Sequence, residues 1–299
     1  MILCIGEILV DMIGGEKDGS FCYERKAGGA PFNVACAVKK FGADSGFIGC
    51  VGDDTVGKFL KNFVDGQELS YSYVKKDERY NTTLAFVELD KTGERSFCFY
   101  RKNTADYQLP AIPDEAFAKA KIVHIGSLML SENVGKKYAI ATAKKAKRAG
   151  KLVSFDVNFR DDIFRDRQSA ISIYKKMIEL ADIVKFSEDE TEIFGQDYVD
   201  GLSQKLVCIS LGGKGSRYQY RGASNVVPTV PVTPVDTTGA GDAFYAGVLS
   251  QIVDVPMADW TKEVLDSALR FGNVCGALNT LGKGAIDCLP TKEEVEKLL

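Results

Sequence analysis

The 299-residue sequence predicts an α/β fold in which a central, mostly parallel sheet carries helices on both faces and a small β subdomain is attached. Two observations support this prediction. Short apolar runs alternate with amphipathic stretches along most of the chain, which is typical of β-α-β units. One region departs from this rhythm, because its β-rich runs follow each other directly. We expect one domain over residues 1–299, with the subdomain formed by about residues 14–26 and 80–104.

The apolar runs predict the strands of the sheet, and the amphipathic stretches predict the helices that cover it. Strands are predicted at residues 2–5, 45–51, 122–125, 152–155, 183–186 and 206–210. Helices are predicted at residues 31–41, from about 56, and at 134–149, 169–181, 243–252, 262–278 and 291–298.

The small β subdomain is predicted from three β-rich segments. Residues 83–89 and 95–101 are joined by Asp90-Lys91-Thr92-Gly93-Glu94, which makes a good hairpin turn, and residues 21–26 supply a further strand. Because side chains on one face of a strand repeat every two residues, we expect Phe99 and Arg101 to share a face.

Composition excludes several classes of function. The chain has 38 Lys and Arg against 41 Asp and Glu, a formal charge of −3, and no long run of one sign, so neither nucleic acid nor a membrane surface is expected as a partner. No stretch of about 18 uncharged apolar residues predicts a spanning helix, and the N-terminal residues do not resemble a signal peptide. The eight cysteines are scattered without a C-x-x-C pair, which predicts reduced, buried thiols in a cytoplasmic protein.

The most informative segment is Asp236-Thr237-Thr238-Gly239-Ala240-Gly241-Asp242-Ala243-Phe244, which leads into an apolar helical pattern. Glycines at 239 and 241 allow a tight turn that exposes backbone N–H groups at a helix N-terminus, where the helix dipole also favours an anion. A carboxylate in the first turn, Asp242, would lie beside a bound phosphate where an incoming hydroxyl group loses its proton. The alternative is that Asp242 only caps the helix.

Other phosphate-binding and nucleotide-binding motifs are excluded by spacing. Neither this segment nor Gly212-Gly213-Lys214-Gly215-Ser216 matches the P-loop pattern, and Phe244 stands where a dinucleotide-binding fingerprint requires a small residue. Protein-kinase motifs are absent, since the single histidine, His124, has no H-R-D sequence around it. A lone histidine within an apolar strand is more often structural, so we do not assign His124 a catalytic role.

At this point the chain resembles the ribokinase family of carbohydrate kinases, often called the PfkB family. The segment 236–244 is similar to the C-terminal signature of that family, and Gly28-Gly29-Ala30-Pro31-Phe32-Asn33-Val34-Ala35 is similar to its N-terminal signature. Within the family, residues 6–11, 28–35 and 99–106 look most like those of fructokinases. The resemblance covers nearly the whole length, and it implies a ribokinase-like fold in which the small β subdomain is a lid over the sugar.

The resemblance also implies a sugar-binding set. Burying Asp11 between apolar residues would be costly without hydroxyl partners, which a sugar supplies; the alternative is an exposed aspartate beyond a strand. Gly28 and Gly29 allow the backbone to approach a ligand, or only form a turn, and Asn33 offers an amide at the start of a helix. Asn158 and Arg160 follow a predicted strand at the edge where ligands of α/β sheets bind; a surface salt bridge is the alternative for Arg160. The sugar-binding residues expected are Asp11, Gly28, Gly29, Asn33, Phe99, Arg101, Asn158 and Arg160.

On the nucleotide side, the resemblance implies contacts from Ser187, Ser210, Gly212, Gly215 and Asn273, although a plain glycine turn and an exposed helical Asn are the alternatives. Residues 187–190 align with a family element that influences Mg²⁺ binding, and Glu190 is expected to act on the metal indirectly. The alternative is an ordinary acidic helix N-terminus. A K⁺ site is implied at Asp236, Thr238, Asn279, Gly282 and Gly284. Cys288 departs from the family pattern there.

These features predict an ATP-dependent sugar kinase with Asp242 as the catalytic base and an anion hole from Gly239, Ala240 and Gly241 to Asp242. Fructose, phosphorylated to fructose 6-phosphate, is the preferred substrate. The alternatives are kinases for 2-keto-3-deoxygluconate, ribose or aminoimidazole riboside, and, in a different class, a protein that senses a sugar or a nucleotide without catalysis. A homodimer through the lid is expected, since an apolar lid face also suits dimer packing.

Overall fold

A computed structural model describes residues 1–89 and 95–299. Its strands are, in chain order, β1 (Ile2–Ile5), β2 (Leu9–Lys17), β3 (Ser20–Gly28), β4 (Ser45–Gly52), β5 (Tyr71–Asp77), β6 (Leu84–Leu89), β7 (Arg95–Tyr100), β8 (Ile122–Ile125), β9 (Leu152–Asp156), β10 (Ile183–Ser187), β11 (Leu206–Ser210), β12 (Ser216–Tyr220) and β13 (Ala223–Val227). Its helices are α1 (Ala30–Lys40), α2 (Thr55–Asp65), α3 (Asp114–Lys119), α4 (Asn133–Arg148), α5 (Arg167–Leu180), α6 (Glu188–Phe194), α7 (Gln196–Asp200), α8 (Ala240–Ile252), α9 (Lys262–Asn279) and α10 (Lys292–Glu296).

The large sheet has the strand order β13-β12-β11-β10-β9-β8-β1-β4-β5. Every neighbouring pair from β11 to β5 is parallel, and the pairs β11–β12 and β12–β13 at one edge are antiparallel. Helices lie on both faces, which confirms the predicted fold class. The carboxyl ends of the parallel strands therefore meet at one edge of the sheet, where α/β proteins bind their ligands.

Strand β1 shows how the sheet divides the hydrophobic core into two layers. Its side chains alternate between the faces, so Ile2 and Cys4 pack in one buried cluster with helices α1, α8 and α9. Leu3 and Ile5 pack in the other cluster with α4 and α5. All four residues are fully buried, which explains why the strand reads as a continuous apolar run rather than as an alternating pattern.

The second sheet has the order β3-β2-β6-β7, with β2 antiparallel to β3 and parallel to β6. We call these four strands the small sheet. The sequence predicted three of them but missed β2, whose Gly14-Gly15 pair and polar end are unfavourable for a strand. Because β2 is held by ladders on both sides, tertiary pairing overrides that local preference. The predicted turn at residues 90–94 lies outside the described residues.

Three further strands were absent from the prediction. β5 lies at one edge of the large sheet, and β12 and β13 form a hairpin at the other. Their residues alternate between buried and exposed or are mainly exposed, so they lack the apolar runs that marked the inner strands. The predicted start of the helix at 243 was also late, since α8 begins at Ala240.

Helix α8 is fixed in place by close packing on α9. A Cβ atom on Gly247 would lie 2.8 Å from the Cα of Gly272, so the two backbones approach more closely than larger residues permit. Both helices are mostly buried. This contact sets the position of the α8 N-terminus, which carries the segment 236–244.

All eight cysteines are free, as the sequence predicted, but they are not all buried. Cys22 and Cys98, both on the small sheet, are exposed, because strands outside the main core leave one face open to solvent. Among the helices that the structure describes, none is both long and apolar enough to cross a membrane.

Candidate active site

Asp242 lies in the first turn of α8, as predicted. Gly239 precedes the helix with a φ of 76°, a conformation that suits glycine, and a Cβ at this position would lie 2.5 Å from the side chain of Ala285. The N–H group of Ala240 donates to the carbonyl of Thr237 at 3.2 Å. The N–H group of Ala240, which was expected to contribute to the anion hole, is therefore already bonded. An anion hole here would depend on the N–H groups of Gly239, Gly241 and Asp242.

The carboxylate of Asp242 does not cap its helix. The described structure has no side-chain cap at the start of α8, and Asp242 Oδ2 instead accepts a hydrogen bond of 2.8 Å from Asn33 Nδ2. Burial raises the pKa of Asp242, and the bond from Asn33 opposes this rise. Asp242 is half-buried, while Asn33 is buried. A carboxylate oriented by a buried amide and still reachable from outside is suited to accept a proton from a ligand.

Lys185 is a site residue that the sequence analysis missed. It lies buried near the end of β10, and its ammonium group contacts both carboxylate oxygens of Asp156, at 2.9 and 3.0 Å. A Cβ on Gly241 would lie only 3.4 Å from Lys185 Nζ, so this cation is beside the α8 N-terminus. Burial is the largest single effect and lowers the pKa of Lys185, but Asp156, Glu190 and Asp242 together outweigh it, so the pKa is raised.

A charged residue inside the apolar run Ile183-Val184-Lys185-Phe186 was the signal that could have identified this site. Lysines are almost never fully buried without a partner, so this position already required an acid nearby. The strand pattern was used to predict β10, and the one residue that violated the pattern was overlooked.

Asn158 and Arg160 follow β9 at the carboxyl edge of the sheet, as predicted. Asn158 is half-buried with a positive φ of 35°, and Arg160 is exposed, its guanidinium 3.3 Å from the carbonyl of Phe159. The positive charge of Arg160 lowers the pKa of Asp242, which opposes the larger effect of burial. Arg160 is therefore near the proposed base.

Glu190 and Ser187 begin helix α6 as a capping box. Glu190 is buried, and its two oxygens accept hydrogen bonds from the N–H groups of Phe159 (2.6 Å) and Ser187 (2.7 Å). Ser187 Oγ accepts from the N–H group of Glu190. The alternative of an acidic helix N-terminus is thus what the structure shows for this pair, and Glu190 additionally holds the segment that carries Asn158 and Arg160.

Three of the residues predicted to bind a sugar, Asp11, Gly28 and Gly29, lie where the small sheet meets α1. Asp11 lies near the start of β2, opposite Lys26 of β3, and a Cβ on Gly28 would collide with its carboxylate. Gly29, with a φ of 111°, is the residue before α1, and a Cβ there would lie 2.5 Å from the carbonyl oxygen of Glu7. Both glycines therefore let other parts of the protein, the Asp11 carboxylate and the Glu7 carbonyl, pack closely against the backbone.

Arg101 differs from the prediction. Its guanidinium is buried and binds inside the protein, with Nε 2.8 Å from Asp106 Oδ2 and Nη1 2.6 Å from both Tyr107 Oη and the carbonyl of Leu128. Phe99, two residues earlier, is half-buried on the small sheet. Strand β7 ends at Tyr100, so Arg101 is at the junction with the core and anchors the small sheet instead of facing a ligand.

The residues predicted to bind a nucleotide lie around the loop from β11 to β12. Gly212 is exposed and Gly215 is buried, where a Cβ would collide with the carbonyl of Val227. Ser210 Oγ is 3.4 Å from the carbonyl of Phe186. Asn273 is buried, not exposed, and donates to the carbonyls of Val227 (2.9 Å) and Pro228 (3.3 Å). Asn273 thereby fastens α9 to the end of β13, against which Gly215 of the loop lies.

The residues predicted to bind K⁺ lie on the segment before α8 and on the end of α9 with the loop that follows it. Asp236 accepts hydrogen bonds from the N–H groups of Thr238 (2.7 Å) and Gly284 (3.0 Å), and Asn279 Nδ2 donates to the carbonyl of Thr238 (3.1 Å). Over residues 1–89 and 95–299, the buried oxygens Thr238 Oγ1 and Asn279 Oδ1 have no hydrogen-bond partner. Gly282 contacts Cys288, whose thiol donates to the carbonyl of Lys283 at 3.2 Å.

Two cavities adjoin this loop. A small one of about 20 Å³ is bounded by Asp11, Ile13, Lys26, Val87, Thr238, Gly284 and Ala285. A larger one of about 630 Å³ lies between the β2–β3 hairpin and residues 234–237 with Lys283. Lys26 of β3 also forms an ion pair of 2.9 Å with Asp287. The small sheet therefore lies against this region, with Asp11 and Thr238 bounding the same small cavity.

His124 has the structural role that the sequence predicted. It is buried in β8, where Nδ1 lies 3.1 Å from Ser154 Oγ and the ring contacts Tyr245. Burial lowers the pKa of His124 to about 3, so it stays neutral at physiological pH.

Known proteins are similar to this chain in sequence and in structure over its full length. The fructokinase of Xylella fastidiosa with bound ATP superposes with a TM-score of 0.92 at 32% identity, covering 99% of this chain and 97% of that one. The fructokinase of Vibrio cholerae bound to fructose, ADP and calcium gives 0.89 at 31% identity, covering 100% and 98%. The probable fructokinase-6, chloroplastic, of Arabidopsis thaliana is 38% identical over 314 residues, covering 100% of this chain and 82% of its own.

The fold is therefore ribokinase-like, and the protein is of the class of sugar kinases, phosphotransferases whose acceptor is an alcohol group. Residues 1–292 match the family described as pfkB family carbohydrate kinase, to which the chain belongs.

The Lys185–Asp156 pair generates a test of stability. Replacing Lys185 by Met leaves the buried Asp156 without its partner and should lower the free energy of unfolding by about 3–5 kcal/mol. The double variant Lys185→Met, Asp156→Leu should recover most of this loss, because two apolar side chains leave no uncompensated charge. Urea denaturation measures both. Lys262→Met, which removes an exposed pair with Asp266, is the control and should change little. A double variant as unstable as the single one would contradict the pairing.

Proposed function

We propose that this protein transfers the γ-phosphoryl group of ATP to the 6-hydroxyl group of fructose. The observation that supports the proposal best is the orientation of the Asp242 carboxylate by Asn33, beside the N-terminus of α8 and the buried ammonium group of Lys185. A proton acceptor next to a positive end of a helix and a fixed cation is what an attack by a hydroxyl group on a phosphate requires.

In the proposed reaction, Asp242 accepts the proton of the attacking hydroxyl group. The backbone N–H groups at the start of α8 stabilise charge on the transferring phosphoryl group, and Lys185 adds a positive charge that does not move, since Asp156 holds it. Arg160, exposed at the same edge, can approach the phosphate or the sugar. Closure of the small sheet would exclude the water that otherwise hydrolyses ATP.

Mg²⁺, bound together with ATP, would supply charge neutralisation at the phosphates. The described residues contain no group of three acidic, His or Cys side chains that could hold a metal, and both oxygens of Glu190 already accept backbone hydrogen bonds. These observations support an indirect role for Glu190, through waters that Mg²⁺ retains. The buried oxygens of Thr238 and Asn279, unpartnered within the described chain, suit a K⁺ ion beside the α8 loop.

On the acceptor side, Asp11 and Asn33 present hydrogen-bonding groups to adjacent hydroxyl groups of a ketose. Fructose is favoured because the relatives compared above are named fructokinases. Arg101, the arginine that could have paired with the acid group of 2-keto-3-deoxygluconate, is already paired with Asp106, which speaks against that substrate. Arg160 keeps it open, and ribose and aminoimidazole riboside remain alternatives.

The small sheet, formed by β2, β3, β6 and β7, would act as the lid and as the surface of a homodimer. Its exposed face carries a row of aromatic rings in which Phe21 contacts Tyr23, Tyr23 contacts Phe86, and Phe86 contacts Tyr100. Phe21 and Tyr100 are more than half exposed. A contiguous aromatic patch of this kind favours burial against another protein surface. The cytoplasmic location stays a prediction from the sequence.

Asp242→Asn tests the catalytic role. Asparagine keeps an oxygen for Asn33 to donate to but cannot take a proton at neutral pH, so turnover should fall by about 100-fold or more while binding of sugar and ATP changes only a few-fold. Steady-state kinetics and calorimetric titration measure the two effects. Asp166→Asn, at the exposed start of α5, is the control and should behave as wild type. Turnover above roughly a tenth of wild type would exclude Asp242 as the base.

Asp11→Ala tests the acceptor site. Removing a carboxylate that binds hydroxyl groups should weaken the sugar by about 10-fold or more and leave ATP binding nearly unchanged. Calorimetric titration with each ligand separates the two. The control is Asp18→Asn, at the exposed turn of the same sheet, where a positive φ suits both residues. Equal weakening of both ligands, or of neither, would remove Asp11 from the sugar site.

A panel of acceptors tests the substrate. Specificity constants for fructose, ribose, 2-keto-3-deoxygluconate and aminoimidazole riboside, measured by coupled ADP release at one Mg²⁺ and K⁺ concentration, should be highest for fructose, because other sugars leave buried polar groups unpaired. A higher constant for another sugar would overturn the substrate but not the kinase. ATP and sugar binding without ADP release from any of them would favour the non-catalytic sensor.

A further inference from the structure

Glu7 is a buried acid beneath the proposed sugar site that the reaction above does not use. It lies between β1 and β2, and the residue is fully buried. Both of its carboxyl oxygens lack a hydrogen-bond partner among residues 1–89 and 95–299. Burying a carboxyl group without hydrogen-bond partners destabilises the folded protein, which indicates a function of Glu7 beyond packing.

We propose that Glu7 is a positioning residue that sets, through the first turn of α1, the orientation of Asn33 and so that of Asp242. The inference rests on the proposed function only in naming Asp242 as the base. The contact between Asn33 and Asp242 is itself a feature of the structure.

Contacts join Glu7 to that turn from two sides. Its carbonyl oxygen lies against Gly29, the residue that precedes α1. Its carboxyl group lies against Gly126 at the end of β8, where any Cβ would collide with it. Pro31, in the first turn of α1, is packed on the same place, since a Cβ on Gly126 would lie 2.9 Å from Pro31 Cγ. The Glu7 carboxyl group therefore reaches the turn that carries Asn33 through Gly126, against which Pro31 packs, so a change in its size or charge acts on the turn by this route.

The charges around Glu7 come from four parts of the fold. Arg101 follows β7, Asp106 lies in the next turn, Asp242 is on α8, and Tyr174 is on α5. Burial raises the pKa of Glu7 to about 7, Arg101 opposes this rise, and Asp106 and Asp242 add to it. Glu7 is thus protonated below about pH 7 and ionised above it. A glutamate with the ordinary pKa would be ionised on both sides of pH 7.

This ionisation has a definite sign for Asp242. As pH rises through 7, a negative charge appears on Glu7, which disfavours charge on Asp242 and makes it a stronger proton acceptor. Burial also raises the pKa of Asp242, Asp156 and Glu190, and Asp242 contacts Asn33 directly, so the comparison with Glu7→Gln is needed to separate their titration from that of Glu7. Two other groups are excluded. The single histidine has a pKa of about 3, and the N-terminal amine lies near Asp44, Asp254 and Lys121, at the opposite, amino end of the strands.

The first measurement does not require activity. The side-chain amide signals of Asn33 in a ¹⁵N–¹H spectrum, assigned by their loss in Asn33→Ser, should shift with a midpoint near pH 7 in the wild type. In Glu7→Gln, which keeps the shape and removes the ionisation, they should not shift over that range. Asn33 signals that titrate alike in both proteins, or in neither, would overturn the inference.

The second measurement is the pH dependence of kcat. Between about pH 6 and pH 8, wild-type kcat should rise roughly threefold, and Glu7→Gln should lack this rise while KM for ATP stays within about twofold. Glu7→Asp, which restores an acid, should restore a pH-dependent rise even if kcat is lower. A Glu7→Gln profile parallel to that of the wild type would mean that Glu7 is only structural. Absence of turnover by the wild type on every sugar would instead reject the proposed function, and the spectra would still decide the role of Glu7.

Discussion

The hydrogen bond from Asn33 to Asp242 joins the two parts of the chain on which the site depends. The two residues are 209 positions apart, one near the start of α1 and the other in the first turn of α8. Both helices pack on the same face of the large sheet, so their N-terminal ends meet at its carboxyl edge. Without this bond, a half-buried carboxylate would have no fixed orientation, and the helix dipole and the acid would not be aimed at the same point.

Two buried ion pairs lie near the site. Lys185 with Asp156 and Arg101 with Asp106 are ion pairs with almost no exposed surface. Such pairs contribute little net stability, because desolvation offsets their attraction. Their value is geometric. The first pair fixes a cation beside α8, and the second fixes the base of the small sheet on the core.

Several parts of the fold were readable from the sequence because one local pattern decided them. The inner strands β1, β8, β9, β10 and β11 are mainly apolar and almost wholly buried, and they were predicted nearly to their observed bounds. Strand β2 was missed because its glycines disfavour a strand until β3 and β6 pair with it. Arg101 was assigned to the ligand because strand periodicity gives its face, while its partner Asp106 comes from the turn that follows the strand.

The sequence by itself determined the fold class, the glycine-rich helix start and the placement of Asp242 in its first turn, since each follows from residues close together in the chain. Only the tertiary structure decided which side chains from distant parts of the chain contact this helix start and Asp242. It placed Asn33 on Asp242, Lys185 under Gly241, and Glu7 against Gly126 and the turn of Pro31. Contacts of this kind depend on which strands are neighbours in the sheet, and no local pattern encodes that order.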